Sequence, residues 1–153
     1  MRRLIIAFAI TIQACAAHAQ PPDGAAIFQQ QCAVCHQPQG QGLPGQFPPL
    51  AHNPDIFLAR DFPLRVVLFG LNGKITVNGK TIDGVMPPLG DVLKDQEIAA
   101  AVNYVRGAWG NDALRPKTMA PLTPAMVAKL REQKNILGDV FAYRHSLKAG
   151  AKN

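Results

Sequence analysis

Cysteine is scarce in this chain. Three cysteines in 153 residues exclude a disulfide-dense scaffold. No apolar run reaches the roughly 20 residues that a membrane-spanning helix needs. The single Cys-x-x-Cys has no second cysteine pair and no His-x-x-x-His beside it, so a four-ligand zinc site lacks donors. No strand–helix–strand unit surrounds the pair, which argues against a thioredoxin-type dithiol. Basic residues are not interleaved with aromatics, so nothing points to nucleic acid. Internal repeats, phosphate loops, nucleophile triads and paired catalytic carboxylates are also missing. In excess are Gly and Pro, 13 of each, which favour short elements joined by ordered loops over a regular bundle. The chain is 48% hydrophobic and 17% charged, within the globular range, and its length suits one domain with appendages.

Residues 1–19 read as an export signal. Arg2 and Arg3 form a positive start, residues 4–12 are apolar, and Ala17-His18-Ala19 offers a cleavage site. Processing there makes Gln20 the mature N-terminus and predicts a periplasmic product. A second reading takes Ile12-Gln13-Ala14-Cys15 as a lipoprotein box with a lipid anchor on Cys15. The Ala-His-Ala site is the better match.

Processing after Ala19 leaves two cysteines, in Cys32-Ala33-Val34-Cys35-His36. C-x-x-C-H is the attachment pattern of c-type haem. Thiols one helical turn apart can add to two vinyl groups on one macrocycle edge, and the next imidazole reaches the iron. A disulfide across two residues would be strained and would leave His36 without a role. The pattern therefore predicts one covalently bound haem c, with His36 on the metal. For the sixth ligand the mature chain offers Met86, Met119, Met126, His52 and His145. Met86 is preferred, because Gly84-Val85-Met86-Pro87-Pro88 is a stiff loop and not a periodic core segment. Met119 and Met126 read better as packing residues, and His52, before Asn53-Pro54, as a surface histidine.

The order is now a helix, C-x-x-C-H near the N-terminus, a Pro-containing loop, a Met-Pro loop some fifty residues on, and an amphipathic helix. Together with Gly24, Phe28, Tyr104 and Trp109-Gly110-Asn111, it resembles the small class I c-type cytochromes of bacteria. The resemblance covers residues 24–111 and arguably extends to 131. It implies a mostly α fold of short helices wrapped around one haem. It implies that Gly24 lets the last helix cross closely. It also implies that a carbonyl in Phe47-Pro48-Pro49-Leu50 accepts from the His36 ring, giving Pro48 and Leu50 as cofactor contacts. The activity implied is single-electron transfer with a redox partner protein, a dehydrogenase, reductase or oxidase. With both axial positions filled there is no open site for a substrate, so an enzyme is not expected. The alternative is a dedicated cytochrome subunit of a periplasmic dehydrogenase. Gas sensors carry C-x-x-C-H nearer the C-terminus, and small peroxidases need a second haem.

Local patterns predict a helix over 23–31 capped by Asp23, a long loop over 37–50, and short helices over 54–60 and 63–71. Residues 75–77 and 80–82, split by Asn78-Gly79, predict a hairpin. A helix is predicted over 95–109, with Asp95 as cap because Lys94 is a poor one, and another over 124–131 capped by Thr123. Three segments follow: signal 1–19, haem domain 20–111 and C-terminal extension 112–153. Residues 20–128 hold eight acidic and eight basic residues, whereas 129–153 hold six basic (Lys129, Arg131, Lys134, Arg144, Lys148, Lys152) and two acidic ones. Ile136, Leu137, Val140, Phe141 and Tyr143 make this end too apolar for a solvating tail. Docking on a partner and folding back on the core are both open.

Overall fold

The computed structural model describes residues 20–133 and 139–151. The proposed signal, Cys15, Lys134, Ile136, Leu137 and Lys152 lie outside them. The described elements are α1 (Gly24–Ile27), α2 (Ala33–His36), α3 (Phe62–Phe69), β1 (Leu71–Val77), β2 (Lys80–Met86), α4 (Asp95–Gly107), α5 (Pro124–Glu132) and α6 (Val140–Gly150). The fold is mostly helical with one antiparallel two-stranded sheet. No described helix is long and apolar enough to cross a membrane.

The first helical segment runs further than residue 31. Asp23 caps α1 by accepting from the amides of Ala25 and Ala26. The backbone then widens into a π-turn over Phe28–Cys32 and re-tightens as α2, which ends at His36. A π-turn inside a helical run commonly marks a functional site. Here it ends on Cys32, the first cysteine of the motif. Gly24 lies so close to α4 that a Cβ would sit 2.2 Å from the carbonyl oxygen of Ala100, so only glycine permits this crossing. Beneath it, Phe28 is fully buried, with its ring 5.6 Å from Tyr104 and 5.0 Å from Trp109. Such aromatic pairs stabilise by about 1 kcal/mol beyond the area they bury.

The hairpin pairs Leu71 with Met86 at its open end and Val77 with Lys80 at its turn. Both turn residues, Asn78 and Gly79, have positive φ, as a two-residue I′ turn requires. The paired segments are longer than the sequence pattern indicates and take in Leu71, which was expected in a helix. Alternation turns Ile75, Val77 and Ile82 inward. α4 spans Asp95–Gly107, and its N-cap is Lys94, not Asp95. The Glu97 carboxylate accepts the Lys94 amide, which satisfies the helix start, while Asp95 instead pairs with Arg131.

The main core lies where α3, α4 and α5 meet, around Leu64, Leu68, Ile98, Val102, Val127 and Leu130. Asn103 ties α4 to the extension by giving and accepting one hydrogen bond each with the backbone of Leu122. Thr123 caps α5 as expected. α6 folds back: Val140 is buried, and Phe141 covers the inward face of the hairpin. Its Arg144 and Lys148 both reach Asp55, at the start of the 3-10 turn Pro54–Phe57. Two of the tail's cations are thus engaged within the molecule, which favours folding back over docking for this helix.

Candidate functional site

Between the first helical segment, the 37–50 loop, the hairpin and α4 lies one large cavity, enclosing about 1270 Å³ with its mouth included. Its walls are mostly aliphatic and aromatic, among them Phe47, Leu50, Ile56, Phe62, Leu71, Ile75, Val77, Ile82, Leu93, Val102 and Val105. Cys32, Cys35, His36, Pro48, Leu50 and Met86 all line it. The residues singled out from sequence as one site therefore converge on one space.

His36 closes α2 and is buried. Its Nδ1 lies 2.9 Å from the carbonyl oxygen of Pro48. A carbonyl only accepts, so Nδ1 carries the proton and Nε2 keeps its lone pair. Burial pushes the imidazole below its ordinary range, outweighing the opposing effect of the Pro48 bond, and keeps it neutral. A neutral, oriented imidazole whose free nitrogen is basic is a ready metal ligand. Pro48 is itself placed by Gly42, whose φ is +67° and whose Cβ would lie 2.4 Å from the Phe47 carbonyl oxygen. The two thiols are half-buried and unbonded to each other. Burial, and secondarily Cys35, raises Cys32 to about 11, so it is a thiol at neutral pH.

Met86 is the last residue of β2. The loop after it is held from several sides. Leu89 N–H donates to Val67, and Gly90 packs onto the carbonyl of Leu68. Arg131 donates to the carbonyls of Gly90 and Leu93 and to the Asp95 carboxylate. The other candidate ligands lie elsewhere. Met119 packs against the cluster around Phe28, Phe57 and Val105, and Met126 packs on the main core. His52 is exposed, and His145 bonds the Phe141 carbonyl on the outside of α6.

Two site residues escaped the sequence reading. Arg106, in the last turn of α4, where a cation suits the helix dipole, is 2% exposed and lines the cavity. One terminal nitrogen donates to the carbonyls of Ile56, Ala59 and Arg60, while Nε and the other terminal nitrogen have no partner among the described residues. Burial, then Arg60 and Arg115, lowers it to about 10, which leaves it a cation at neutral pH. The signal was available: Ile98, Val102 and Arg106 recur at four-residue spacing on the buried face of α4. Arg144, the second, reaches the cavity from α6, bonded to Asp55 and the Thr76 carbonyl.

This donor set fits a haem. Two thiols one turn apart, a neutral imidazole and a thioether line an apolar crevice, and an unsatisfied guanidinium in its wall suits the carboxylates such a group carries.

Comparison with known proteins agrees. The family model described as Cytochrome c matches residues 22–109. A cytochrome c-552 of Thermus thermophilus is 43% identical over 151 residues, covering 96% of this chain and 98% of that protein. The cytochrome c subunit of the quinone alcohol dehydrogenase of Gluconobacter oxydans is 39% identical over 92 residues, 59% of this chain and 19% of that subunit. The gluconate 2-dehydrogenase cytochrome c subunit of Pantoea cypripedii is 32% identical over 121 residues, covering 74% of this chain and 25% of the subunit. With its attachment motif on the wall of an apolar crevice and a family match across the segment that builds it, this chain belongs to the cytochrome c family, whose cofactor is a covalently attached haem c.

Proposed function

We propose that this chain is a periplasmic single-electron carrier whose haem c is attached through Cys32 and Cys35 and ligated by His36 and Met86. Residues 20–111 form the haem domain in this reading, and 112–153 an extension packed upon it. The observation that carries it is the meeting of His36 and Met86, alone among the chain's described His and Met residues, on the walls of one apolar cavity that also holds both cysteines. When bound, the haem supplies a one-electron couple that cycles with no atom gained or lost. The protein's part is to hold that group still. Pro48 fixes the imidazole, Arg131 and Gly90 fix the Met86 loop, and the aliphatic walls exclude water. A thioether ligand and a dry wall both favour the less charged, reduced state.

Absorption spectra of the oxidised and reduced holoprotein, with and without carbon monoxide, test this. We expect a weak far-red sulfur-to-iron band in the oxidised form, no response to carbon monoxide, and loss of the band in Met86→Ala. Loss of the band in Met119→Ala or His52→Ala, with Met86→Ala unchanged, overturns the ligand assignment.

A second reading is a dedicated dehydrogenase subunit, favoured by the match to the Gluconobacter and Pantoea subunits. The chain spans only a fifth to a quarter of those proteins, but nearly all of the Thermus cytochrome, which supports a free carrier.

A further inference from the structure

We propose that Arg131, on the extension helix α5, is a positioning residue for the sulfur ligand, and that it sets how slowly Met86 gives way to a small external ligand such as imidazole. This rests on the functional reading above, in which Met86 is on the iron.

Met86 ends β2, and its partner across the strands is Leu71. That pairing fixes the backbone on one side of the thioether. On the other side the chain runs through residues 87–94 before α4 begins at Asp95. Pro87 and Pro88 have no amide N–H, so this stretch opens with two residues that donate nothing. Leu89 is the first to donate, to the Val67 carbonyl 2.8 Å away on α3. Val92 and Leu93 then donate back to the Leu89 carbonyl and close a local turn. A segment with so few donors of its own is held best by donors brought to its carbonyls.

Arg131 brings them. One terminal nitrogen donates to the Gly90 carbonyl and the other to the Leu93 carbonyl, 3.0 Å away. Its Nε and that second nitrogen also reach one Asp95 carboxylate oxygen, at 2.9 and 2.7 Å. The acceptors are thus the middle of the loop, its end and the first residue of α4. Leu93 is buried and lines the cavity, as Pro87 does, so what this fork holds is cavity wall. Gly90 is pressed between two helices. A Cβ there would lie 2.7 Å from the Leu68 carbonyl oxygen on α3 and 3.4 Å from a terminal nitrogen of Arg131. The family match ends at residue 109, so this clamp is supplied from outside the segment that carries the haem motif.

A guanidinium is a rigid planar fork that serves acceptors in several directions, whereas an ammonium is a point charge on a flexible stem. The shape of Arg131 therefore does the holding, and its charge alone does not. When imidazole displaces Met86, one sulfur–iron bond breaks and one nitrogen–iron bond forms, with no electron transferred. The loop must swing out for the sulfur to leave, and the bonds to Arg131 resist that movement.

The test follows this displacement in the oxidised holoprotein, read as loss of the far-red sulfur-to-iron band. At saturating imidazole the rate is that of Met86 leaving. Arg131→Lys keeps the charge and loses the fork. It should raise the rate by about tenfold, with the band still present before imidazole is added. Hydrogen exchange of the Leu89 amide should quicken by about the same factor. Asp95→Asn, a milder change at the other end of the fork, should raise the displacement rate by about threefold. Asn103→Ala is the control for general loosening. It frees the extension at Leu122, gives the loop no bond to lose, and should lower the melting temperature while leaving the rate within about twofold. A displacement rate or Leu89 exchange unchanged in Arg131→Lys overturns the proposal, as does a rate raised equally by Asn103→Ala. An unmodified protein without the far-red band overturns the ligation reading and this proposal with it, so the two failures are told apart by the spectrum.

Discussion

Gly42 shows how one missing side chain sets a metal ligand. It has φ of +67°, and any Cβ would overlap the carbonyls of Phe47 and Pro48. The Pro48 carbonyl is the partner that fixes His36. We expect Gly42→Ala to destabilise the holoprotein by at least about 1 kcal/mol, and to shift the imidazole Nδ1–H resonance and the midpoint potential together. A thermal melt lowered with both signals unchanged would mean that Gly42 serves the loop alone. Arg106 makes a second case. A buried cation in the cavity wall opposes the added positive charge of the oxidised iron. Arg106→Gln should therefore lower the midpoint potential by on the order of tens of millivolts, readable by spectroelectrochemical titration. A rise in potential would contradict this.

At the scale of elements, α6 is anchored by a buried charge cluster. Asp55 accepts from Arg144 at one carboxylate oxygen and from Lys148 at the other, 2.9 Å away. The Arg144 and Asp55 side chains are 4% and 7% exposed, so neither charge has water to fall back on. Removing one partner of such a pair typically costs about 3–5 kcal/mol. The cluster is lopsided, which makes the expectation specific. Asp55→Ala strands a buried guanidinium, whereas Arg144→Met leaves Asp55 its bond to Lys148. Urea unfolding should show the larger loss for Asp55→Ala, and the reverse order would contradict this account. Truncation after residue 133 removes both cations and uncovers Ile75, Val77 and Ile82. Its first effect should be a lower melting temperature, ahead of any effect on electron exchange.

For the whole molecule, the cavity dominates. Three apolar clusters surround it, and none spans it. A domain of this size buries too little surface to tolerate a large apolar void. Cys32→Ser with Cys35→Ser should prevent covalent haem retention and leave a chain with no cooperative thermal transition, measured by far-ultraviolet circular dichroism. A sharp transition in that variant would show that the polypeptide core suffices alone.

Much of this was legible in the residues because it is local chemistry. C-x-x-C-H, the Asn78-Gly79 turn and the Thr123 cap each encode their geometry within a few positions, whereas Gly84-Val85-Met86, read as part of a stiff loop, completes strand β2 by pairing with residues 71–73. Met119 and Met126 were likewise legible as packing residues. The departures are where a distant partner decides. Lys94 became a cap because Glu97 reaches back, while Asp95 was drawn to Arg131, 36 residues away. Arg106 lay on the buried face of α4, but periodicity says that a position is inside and not what fills the space beside it. The direction of the tail was undecided because its apolar residues suit a partner or the core equally well. Asp55, 89 positions before Arg144, settled the matter. By itself the sequence determined the haem-attachment motif, the positions of α1, α3, α4 and α5 and the turn of the hairpin, since these depend on spacing and on local backbone preference. Only the tertiary structure decided which charges are buried, what α6 covers and what clamps the loop after Met86. Burial and ion pairing depend on proximity in space, and that exists only once the chain has closed around its cavity.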